Sequence, residues 1–313
     1  MSALNELRLL GKTRGEKRPF SAAQKRDTKA AVFFLAPWLL GLVLITAGPL
    51  LASLLISFTD YNLLQAPEFN GGENYVALMN DKRLLNTLVV TLTYVLVSVP
   101  VQLVVALGLA LLLDRGMRGL TFYRSIFYLP SLLASSVAIA VLWRQMFGTT
   151  GLINQFLGML GLEGRGWISD PDTALGTLIL LNVWTFGAPL VIFLAGLRQI
   201  PVMYHEAAKI DGANAWQSLR RVTIPLLTPI IFFNLILQTI GAFQSFTQAF
   251  IVSGGTGAPS DSLMFFTLYL YQQAFTAFNM GYASAVGWLL VILIAIATGL
   301  NFFLSKYWVF YDD

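Results

Sequence analysis

Residues that could carry out catalysis are scarce in this chain of 313 amino acids. It has no cysteine, and its one histidine, His205, stands beside Glu206. Without thiols there is no disulfide or thiolate metal site, and one histidine makes no cluster for metal binding. Gly11-Lys12-Thr13 looks like the end of a phosphate-binding loop, but that motif needs a glycine where the chain has Glu6. We therefore expect no catalytic residue, metal or cofactor on this chain.

The most informative pattern is a pair of short motifs, Glu206-Ala207-Ala208 and Asp211-Gly212-Ala213. Glutamate and alanine favour a helix, and Asp-Gly indicates a turn in which glycine can take a positive φ. Pro201 suits the first turn of the preceding helix, and Asn214 can cap the next one. The pattern predicts two short helices joined by a tight turn within about 197–223. Such helices are marginal alone, so they need a partner surface on this chain or another.

Long apolar segments must position this polar stretch. Hydrophobic residues make up 56% of the chain and charged residues 12%, whereas a soluble domain is about one quarter charged. About 20 apolar residues in a helix cross a bilayer core of roughly 30 Å. We predict an all-α polytopic membrane protein with a transmembrane domain over 30–305 and a loop between the last two spans. The six predicted spans are Ala30–Phe58, Leu85–Leu113, Ser125–Trp143, Thr173–Gly196, Ile224–Val252 and Ser284–Ser305.

The distribution of basic residues predicts the orientation of these spans. Six spans place both termini on one side, and that side carries 16 of the 20 Lys and Arg residues. The positive-inside rule makes it the cytoplasmic side. Residues 1–29 are then a basic cytoplasmic N-terminal tail, and 306–313 are a cytoplasmic C-terminal tail. This bias accounts for the net charge of +4, so we expect a lipid bilayer and no nucleic acid as a partner.

The segment from Glu206 to Pro225 resembles the EAA loop of bacterial binding-protein-dependent ABC importers. The family pattern is E-A-A, then D-G-A, then a hydrophobic stretch ending in I-x-L-P. Here Ile224 directly precedes Pro225, and Leu219 stands where the family often has Phe. From about residue 30 the chain is similar to the sugar-transport branch, in particular the subunit type of maltose and glycerol-3-phosphate importers. Segments that support this similarity are Ser57–Tyr61, Asn74-Tyr75, Tyr123-Arg124, Leu129-Pro130, Ser253–Gly255 and Gly281–Ala285.

This resemblance implies the type I ABC importer permease fold and a non-catalytic subunit of the bacterial cytoplasmic (inner) membrane. The implied partners are a second homologous permease subunit, two ATP-binding subunits that use ATP and Mg, an extracytoplasmic solute-binding protein and a carbohydrate. Ala207 and Ala208 would contact the ATPase, Gly212 would set the turn, and Glu206 would pair with a basic group or cap. The full set implied for coupling is Glu206, Ala207, Ala208, Asp211, Gly212 and Ala213. The identity of the sugar or polyol stays open.

The energy source is expected on another polypeptide, because none of the predicted spans contains Asp, Glu, Lys, Arg or His. Transporters driven by ion gradients usually keep an ionisable residue at membrane depth, where it binds the coupling ion. Backbone carbonyls can replace that residue for sodium. An ion-gradient-driven secondary transporter therefore remains the alternative.

The fifth span offers polar side chains for a sugar pathway. The candidates for substrate contact are Asn234, Gln238, Ser245 and Gln248, and Phe243, Phe246 and Phe250 are interleaved with them. Gln238, Ser245 and Gln248 are spaced by seven and three residues, which predicts one shared helical face. Polar groups facing lipid are costly, so this face should line a cavity or a helix interface. Hydrogen bonding between helices is the open alternative to substrate contact.

Overall fold

The structure is a computed structural model, and it describes residues 22–114, 120–133 and 136–310. It is almost entirely helical, which confirms the predicted all-α polytopic class. Most of the predicted N-terminal tail, the turn after the second span and the end of the C-terminal tail lie outside the described residues.

The described part of the N-terminal unit is one long helical segment. Helix α1 (Ala22–Gly41) passes through a π-helix, Leu42–Ala47, into α2 (Gly48–Ile56). The apolar part, Ala30–Ile56, is long enough to cross a membrane and agrees with the predicted first span. Pro37 lies inside α1, as membrane helices allow.

The second unit, from Ile56 onward, contains the other described elements. A short antiparallel ladder pairs Thr59 with Phe69 and Asp60 with Glu68. The elements in chain order are β1 (Thr59–Asp60), β2 (Glu68–Phe69), α3 (Glu73–Asn80), α4 (Lys82–Asp114), α5 (Leu120–Leu133), α6 (Val137–Met146), α7 (Leu152–Met159), α8 (Pro171–Trp184), α9 (Gly187–Leu197), α10 (Val202–Ile210), α11 (Ala215–Ser218), a π-helix (Leu219–Thr223), α12 (Ile224–Phe243), α13 (Thr247–Val252), α14 (Phe266–Tyr271), a π-helix (Gln272–Thr276) and α15 (Met280–Ser305).

Five described helical segments are long and apolar enough to cross a membrane, and one bent helix pair would make a sixth span. That pair, Phe122–Leu133 and Val137–Met146, corresponds to the predicted third span and is bent by 95°. The second helix of the pair has its own cap, because the Ser136 hydroxyl accepts the backbone N–H of Ile139 at 3.3 Å. A side-chain cap of this kind starts a new helix.

The predicted fifth span, Ile224–Val252, is interrupted near its end. Helix α12 stops at Phe243 and α13 starts at Thr247, so residues 244–246 form a break. The backbone carbonyl of Ser245 accepts a hydrogen bond from the Thr267 hydroxyl at 2.5 Å. Thr267 lies outside the fifth span, so the helical spacing of residues within that span could not predict this contact.

The predicted loop between the last two spans contains a buried helix. Phe265 and Phe266 are each 1% exposed and Leu268 is fully buried. The backbone N–H of Phe266 donates to the Thr91 hydroxyl of α4 at 3.0 Å. The prediction of a simple loop is therefore wrong, because α14 is too short to be recognised as a span but belongs to the core.

Helix α4 lies at the centre of the second unit, where α8, α9 and α12 pack against it. Ala106 and Ala110 of α4 are fully buried, and small side chains of this kind let membrane helices approach closely. The Trp143 indole N–H donates to the Thr177 carbonyl at 3.0 Å and ties α6 to α8. The core is thus built mainly around one helix.

The fourth span is broken between α8 and α9, and Ser131 of α5 bridges the break. Its hydroxyl donates to the Thr185 carbonyl at 2.8 Å and accepts the Ala188 N–H at 2.9 Å. A side chain on Gly187 would place its Cβ only 2.2 Å from the Phe127 carbonyl oxygen. A neighbouring helix therefore satisfies the backbone groups that the break exposes.

A polar network holds the end of the bundle at which α4 begins. The Asp81 carboxylate accepts hydrogen bonds from the hydroxyls of Tyr269 and, at 2.5 Å, Tyr282. Burial raises the pKa of Asp81, but these hydroxyls and two backbone N–H groups outweigh burial and hold the pKa below its ordinary 3.8. Burial and the neighbouring carboxylate raise the pKa of Tyr269 to about 12. Beside them, Arg83 donates twice to the Asp261 carboxylate, each time at 2.8 Å.

The first part of the predicted C-terminal tail packs against the start of α12. The backbone N–H of Phe310 donates to the Thr228 hydroxyl at 2.9 Å, and the rings of Trp308 and Phe232 lie 6.1 Å apart. These contacts place the described end of the chain beside the entry to the fifth span.

Candidate functional site

The two motifs of the Glu206 region form the predicted helix and turn. Helix α10 ends at Ile210, and Gly212 follows with a φ of +78°. The Gly212 N–H donates to the Lys209 carbonyl at 3.0 Å, and the Ala213 N–H donates to the Ala208 carbonyl at 2.9 Å. This pair of bonds is a Schellman motif, in which a residue in the left-handed region closes the helix. Glycine occupies that position without steric cost.

A capping box starts the second short helix. The Asn214 side chain accepts the Gln217 N–H at 2.9 Å, and the Gln217 side chain accepts the Asn214 N–H at 2.8 Å. These reciprocal bonds satisfy two donors that the helix itself leaves unpaired. His205 Nδ1 lies 3.2 Å from the Ser218 hydroxyl and links the two short helices.

The resulting helix–turn–helix, Val202–Thr223, lies against the end of α4 that is opposite to Asp81. Gly108, Leu111 and Leu112 of α4 line a cavity of about 650 Å³ on one side. His205, Lys209 and residues 213–215 line the other side. One side of the helix–turn–helix therefore faces this cavity and the end of α4, and we call the side away from the cavity its outer side.

The outer side is apolar and exposed. Met203 of α10 is 66% exposed, Ile210 is 87% exposed and Trp216 of α11 is 67% exposed. No residue of α10 is buried. Met203 and Ile210 are seven residues apart and share one face of α10, and exposed apolar side chains on one face indicate a contact surface for another molecule.

The predicted coupling residues differ in their exposure to solvent. Glu206, Ala207, Asp211 and Gly212 are exposed, whereas Ala208 and Ala213 are half-buried. The two ion pairs of the described residues are Arg83–Asp261 and Arg198–Asp114. The basic partner predicted for Glu206 is therefore not among the described residues of this chain.

The predicted polar face of the fifth span is divided by the helix break. Asn234 is fully buried and donates to the Ile230 carbonyl of its own helix at 3.1 Å. Gln238 is half-buried on α12, whereas Ser245 lies in the break and donates to the Gln248 side chain at 3.3 Å. The prediction of one continuous helical face is therefore wrong, because helical spacing does not extend through residues 244–246.

A cluster of four aromatic rings stands beside this break. Phe246, Phe250 and Tyr271 lie with their ring centroids 5.3 Å apart in each pairing, and Phe275 lies 5.2 Å from Tyr271. Of these four rings, the sequence pattern indicated only Phe246 and Phe250. The other two rings belong to the segment predicted as a loop, where its aromatic content was the one available signal.

The chain matches the family described as "Binding-protein-dependent transport system inner membrane component" over residues 75–308. It belongs to this family. The permease is 45% identical over 295 residues to the "Probable ABC transporter permease protein YesP" of Bacillus subtilis (strain 168), a match that covers 94% of this chain and 96% of YesP. It is 32% identical to the "Lactose transport system permease protein LacF" of Rhizobium radiobacter, over 87% of this chain and 93% of LacF.

The fold of the permease agrees with a solved ABC importer. A chain from the "Crystal structure of bacterial alginate ABC transporter in complex with alginate pentasaccharide-bound periplasmic protein" gives a TM-score of 0.75 at 20% identity, covering 90% of this chain and 95% of the other. The family and the apolar helices indicate a multi-pass inner-membrane protein. The expectation of an ABC sugar-transport permease is confirmed at the level of the family.

Proposed function

We propose that this permease forms half of the translocation pathway of an ATP-driven importer, with a second homologous permease subunit as the other half. Two separate ATP-binding subunits bind ATP and Mg and hydrolyse the nucleotide. An extracytoplasmic solute-binding protein delivers the carbohydrate. The permease itself is non-catalytic and couples to the ATPase through Glu206–Ala213.

The observation that carries this proposal is the exposed apolar side of the helix–turn–helix. Met203, Ala207 and Ile210 are spaced by four and three residues, so they share one face of α10. All three are exposed, and the small side chain of Ala207 allows close approach between helices. The chain lacks a complete nucleotide-binding motif, so a separate ATPase subunit is the partner that fits this surface.

The exposures refine the roles of the coupling residues. Ala207 points away from the body of the chain and is proposed at the ATPase contact. Ala208 is half-buried and is proposed at the edge of that contact, while Gly212 fixes the turn. Glu206 is exposed, so a basic residue of the ATPase is its proposed partner.

The proposed orientation places the helix–turn–helix and both termini in the cytoplasm. Lys209, Arg220 and Arg221 of the helix–turn–helix add to the basic residues on that side. The proposed organisation is a basic tail over 1–29, a transmembrane domain over 30–305 and a short tail over 306–313. Asp81 and Arg83 then lie at the extracytoplasmic end, where the binding protein approaches.

The names of relatives support a carbohydrate as substrate. They include a lactose permease, a "Probable starch degradation products transport system permease protein AmyD" and an "Arabinooligosaccharides transport system permease protein AraP". We propose Gln238, Ser245 and Gln248 as groups along the pathway, because each is half-buried rather than fully enclosed. Asn234 is fully buried, and its proposed role is hydrogen bonding within the helix bundle.

Replacing Ile210 by glutamate tests the coupling proposal. At 87% exposure the side chain can change without disturbing the fold, but a charge there should weaken a packed apolar contact. We expect the Ile210→Glu permease to reach the membrane and to lose the ATPase subunit during purification. The matched control is Leu64→Glu, since Leu64 is 90% exposed at the opposite end of the bundle. Equal ATPase retention in both variants would contradict the proposed docking surface.

A transport assay separates this proposal from gradient-driven transport. The whole complex in proteoliposomes should need internal ATP for uptake and should keep its uptake when an ionophore collapses the ion gradients. Uptake by this chain alone, driven by an imposed gradient, would instead support the secondary-transporter alternative.

A further inference from the structure

The cavity behind the helix–turn–helix lies at the level of the lipid headgroups. Thr223, which lines it, directly precedes α12, the helix that crosses the bilayer from Ile224. Leu111 and Leu112, on the opposite wall, belong to the last turn of the span that ends at Asp114. The cavity of about 650 Å³ therefore stands where two spans leave the hydrocarbon core. In the orientation proposed above, this is the cytoplasmic leaflet.

The ionisable groups that line this cavity are basic. Lys209 lines it and takes part in neither ion pair of the described residues. His205, one helical turn earlier, also lines it, and its Nδ1 lies 3.2 Å from the Ser218 hydroxyl. When that hydroxyl donates to Nδ1, the ring carries its proton on Nε2 and donates from there. None of the described lining residues is acidic, and Glu206 and Asp211 lie outside the lining, so the cavity favours an anion.

An apolar wall completes the lining. It includes Leu111, Leu112 and Leu219, and Leu112 is 52% exposed, so the wall is accessible to an acyl chain. Such a wall costs a free phosphate ion its hydration, whereas an acyl chain packs against it. Basic pockets beside membrane helices on the cytoplasmic side are typical sites for lipid headgroups. The lining therefore fits a phospholipid better than a free anion.

We propose that this cavity binds an anionic phospholipid of the cytoplasmic leaflet. The lipid phosphate accepts hydrogen bonds from Lys209 and His205, and an acyl chain lies along Leu111, Leu112 and Leu219. The bound lipid links α10 to the end of α4 and so holds the helix–turn–helix against the transmembrane domain. This inference goes beyond the proposed function, because lipid binding needs neither a substrate nor ATP hydrolysis. It rests on that proposal only for the side of the membrane.

The test uses the whole importer complex in nanodiscs of phosphatidylcholine with increasing fractions of phosphatidylglycerol. Native mass spectrometry of the released complex counts the retained phosphatidylglycerol and gives the apparent Kd of its tightest site. Lys209→Gln removes the charge, whereas Lys209→Arg keeps it. Gly108→Leu keeps every charge and fills the cavity, because Gly108 lines it and a Cβ there would meet no neighbouring atom within 4 Å.

Each variant has a matched control outside the cavity. Arg221→Gln removes the charge of an exposed basic residue of the same helix–turn–helix that does not line the cavity. Gly241→Leu adds the same side chain to α12, where a Cβ also has open space. Inorganic phosphate, added to the complex in pure phosphatidylcholine, tests a free anion as the ligand, with the thermal unfolding midpoint as the readout.

Lys209→Gln should raise the apparent Kd about fivefold, the loss expected for one basic group at a lipid surface. Gly108→Leu should remove the tightest bound lipid, while Lys209→Arg and both controls should keep the wild-type value. Wild-type affinity in either Lys209→Gln or Gly108→Leu would overturn the proposal. An equal loss in Arg221→Gln would also overturn it, because general charge attraction would then explain the binding.

The source of the phosphate group and the transport function are tested separately. Phosphatidylglycerol should raise the unfolding midpoint of the wild-type complex, and inorganic phosphate should not. An equal rise with inorganic phosphate would overturn the lipid as the ligand. If the same complex took up its substrate without ATP, the proposed function would fail, whereas the measured lipid affinities would still decide the cavity proposal.

Discussion

The turn at Gly212 gives the sharpest test of the coupling segment, because its cost can be worked out from backbone geometry. The φ of Gly212 is +78°, and a Cβ there would meet no described atom within 4 Å. A substitution therefore adds no clash, and its effect is the strain of the left-handed region. That strain is about 1–2 kcal/mol for a residue with a Cβ, lowest for asparagine and highest for a β-branched residue.

We expect a graded series at this position. Gly212→Asn should cost least, Gly212→Ala about 1 kcal/mol and Gly212→Val about 2 kcal/mol. These costs correspond to roughly fivefold and 30-fold decreases in the equilibrium constant for closing the turn. Since the Gly212 and Ala213 N–H groups close the Schellman motif, their hydrogen exchange should accelerate in that order.

The assay combines hydrogen exchange of the purified complex with its substrate-stimulated ATPase activity. Coupling should fall in the same order as protection if the ATPase recognises the closed turn. The matched control is Gly158→Ala in α7, where a Cβ also meets no described atom within 4 Å and φ is not positive; it should change neither quantity. Unchanged exchange in Gly212→Val would refute the argument from φ. Faster exchange with full stimulated hydrolysis would refute the docking role.

Three further predictions concern stability and topology. Gly187→Ala should destabilise the permease by about 1–3 kcal/mol, because the new Cβ would lie 2.2 Å from the Phe127 carbonyl oxygen. Its thermal unfolding midpoint should therefore fall. Gly176→Ala in the same span has open space around its Cβ and should leave the midpoint unchanged. The pKa of Asp81 is lowered in the folded protein. The contribution of this carboxylate to stability is therefore present at pH values above the ordinary pKa of 3.8 and is lost as the pH falls through the lowered pKa. Asp81→Asn should flatten the acid limb of a plot of unfolding midpoint against pH. A reporter fused to the C-terminus should be active only in the cytoplasm. Activity on the outer face would contradict the orientation that we infer from the 16-to-4 distribution of basic residues.

The sequence alone determines the membrane character and the helix–turn–helix of this permease. Span length and apolar content are properties of contiguous residues, so the spans could be placed with small errors. Pro201, Gly212 and Asn214 act on backbone groups within a few residues of themselves, which is why the local geometry of the coupling segment agrees with the pattern. Gly212 also belongs to the D-G-A motif, which is part of the resemblance that leads to the family.

The tertiary structure decides the features that depend on contacts between distant residues. The break at 244–246 is held by Thr267, and Asp81 meets hydroxyls that are 188 and 201 residues away in the chain. Helix α14 is buried in the core, where its first N–H donates to the Thr91 hydroxyl of α4. Likewise, Phe246 and Phe250 join Tyr271 and Phe275 because the segment after the fifth span folds back into the core. Periodicity describes one helix at a time, so it could not predict which helices end, bend or meet.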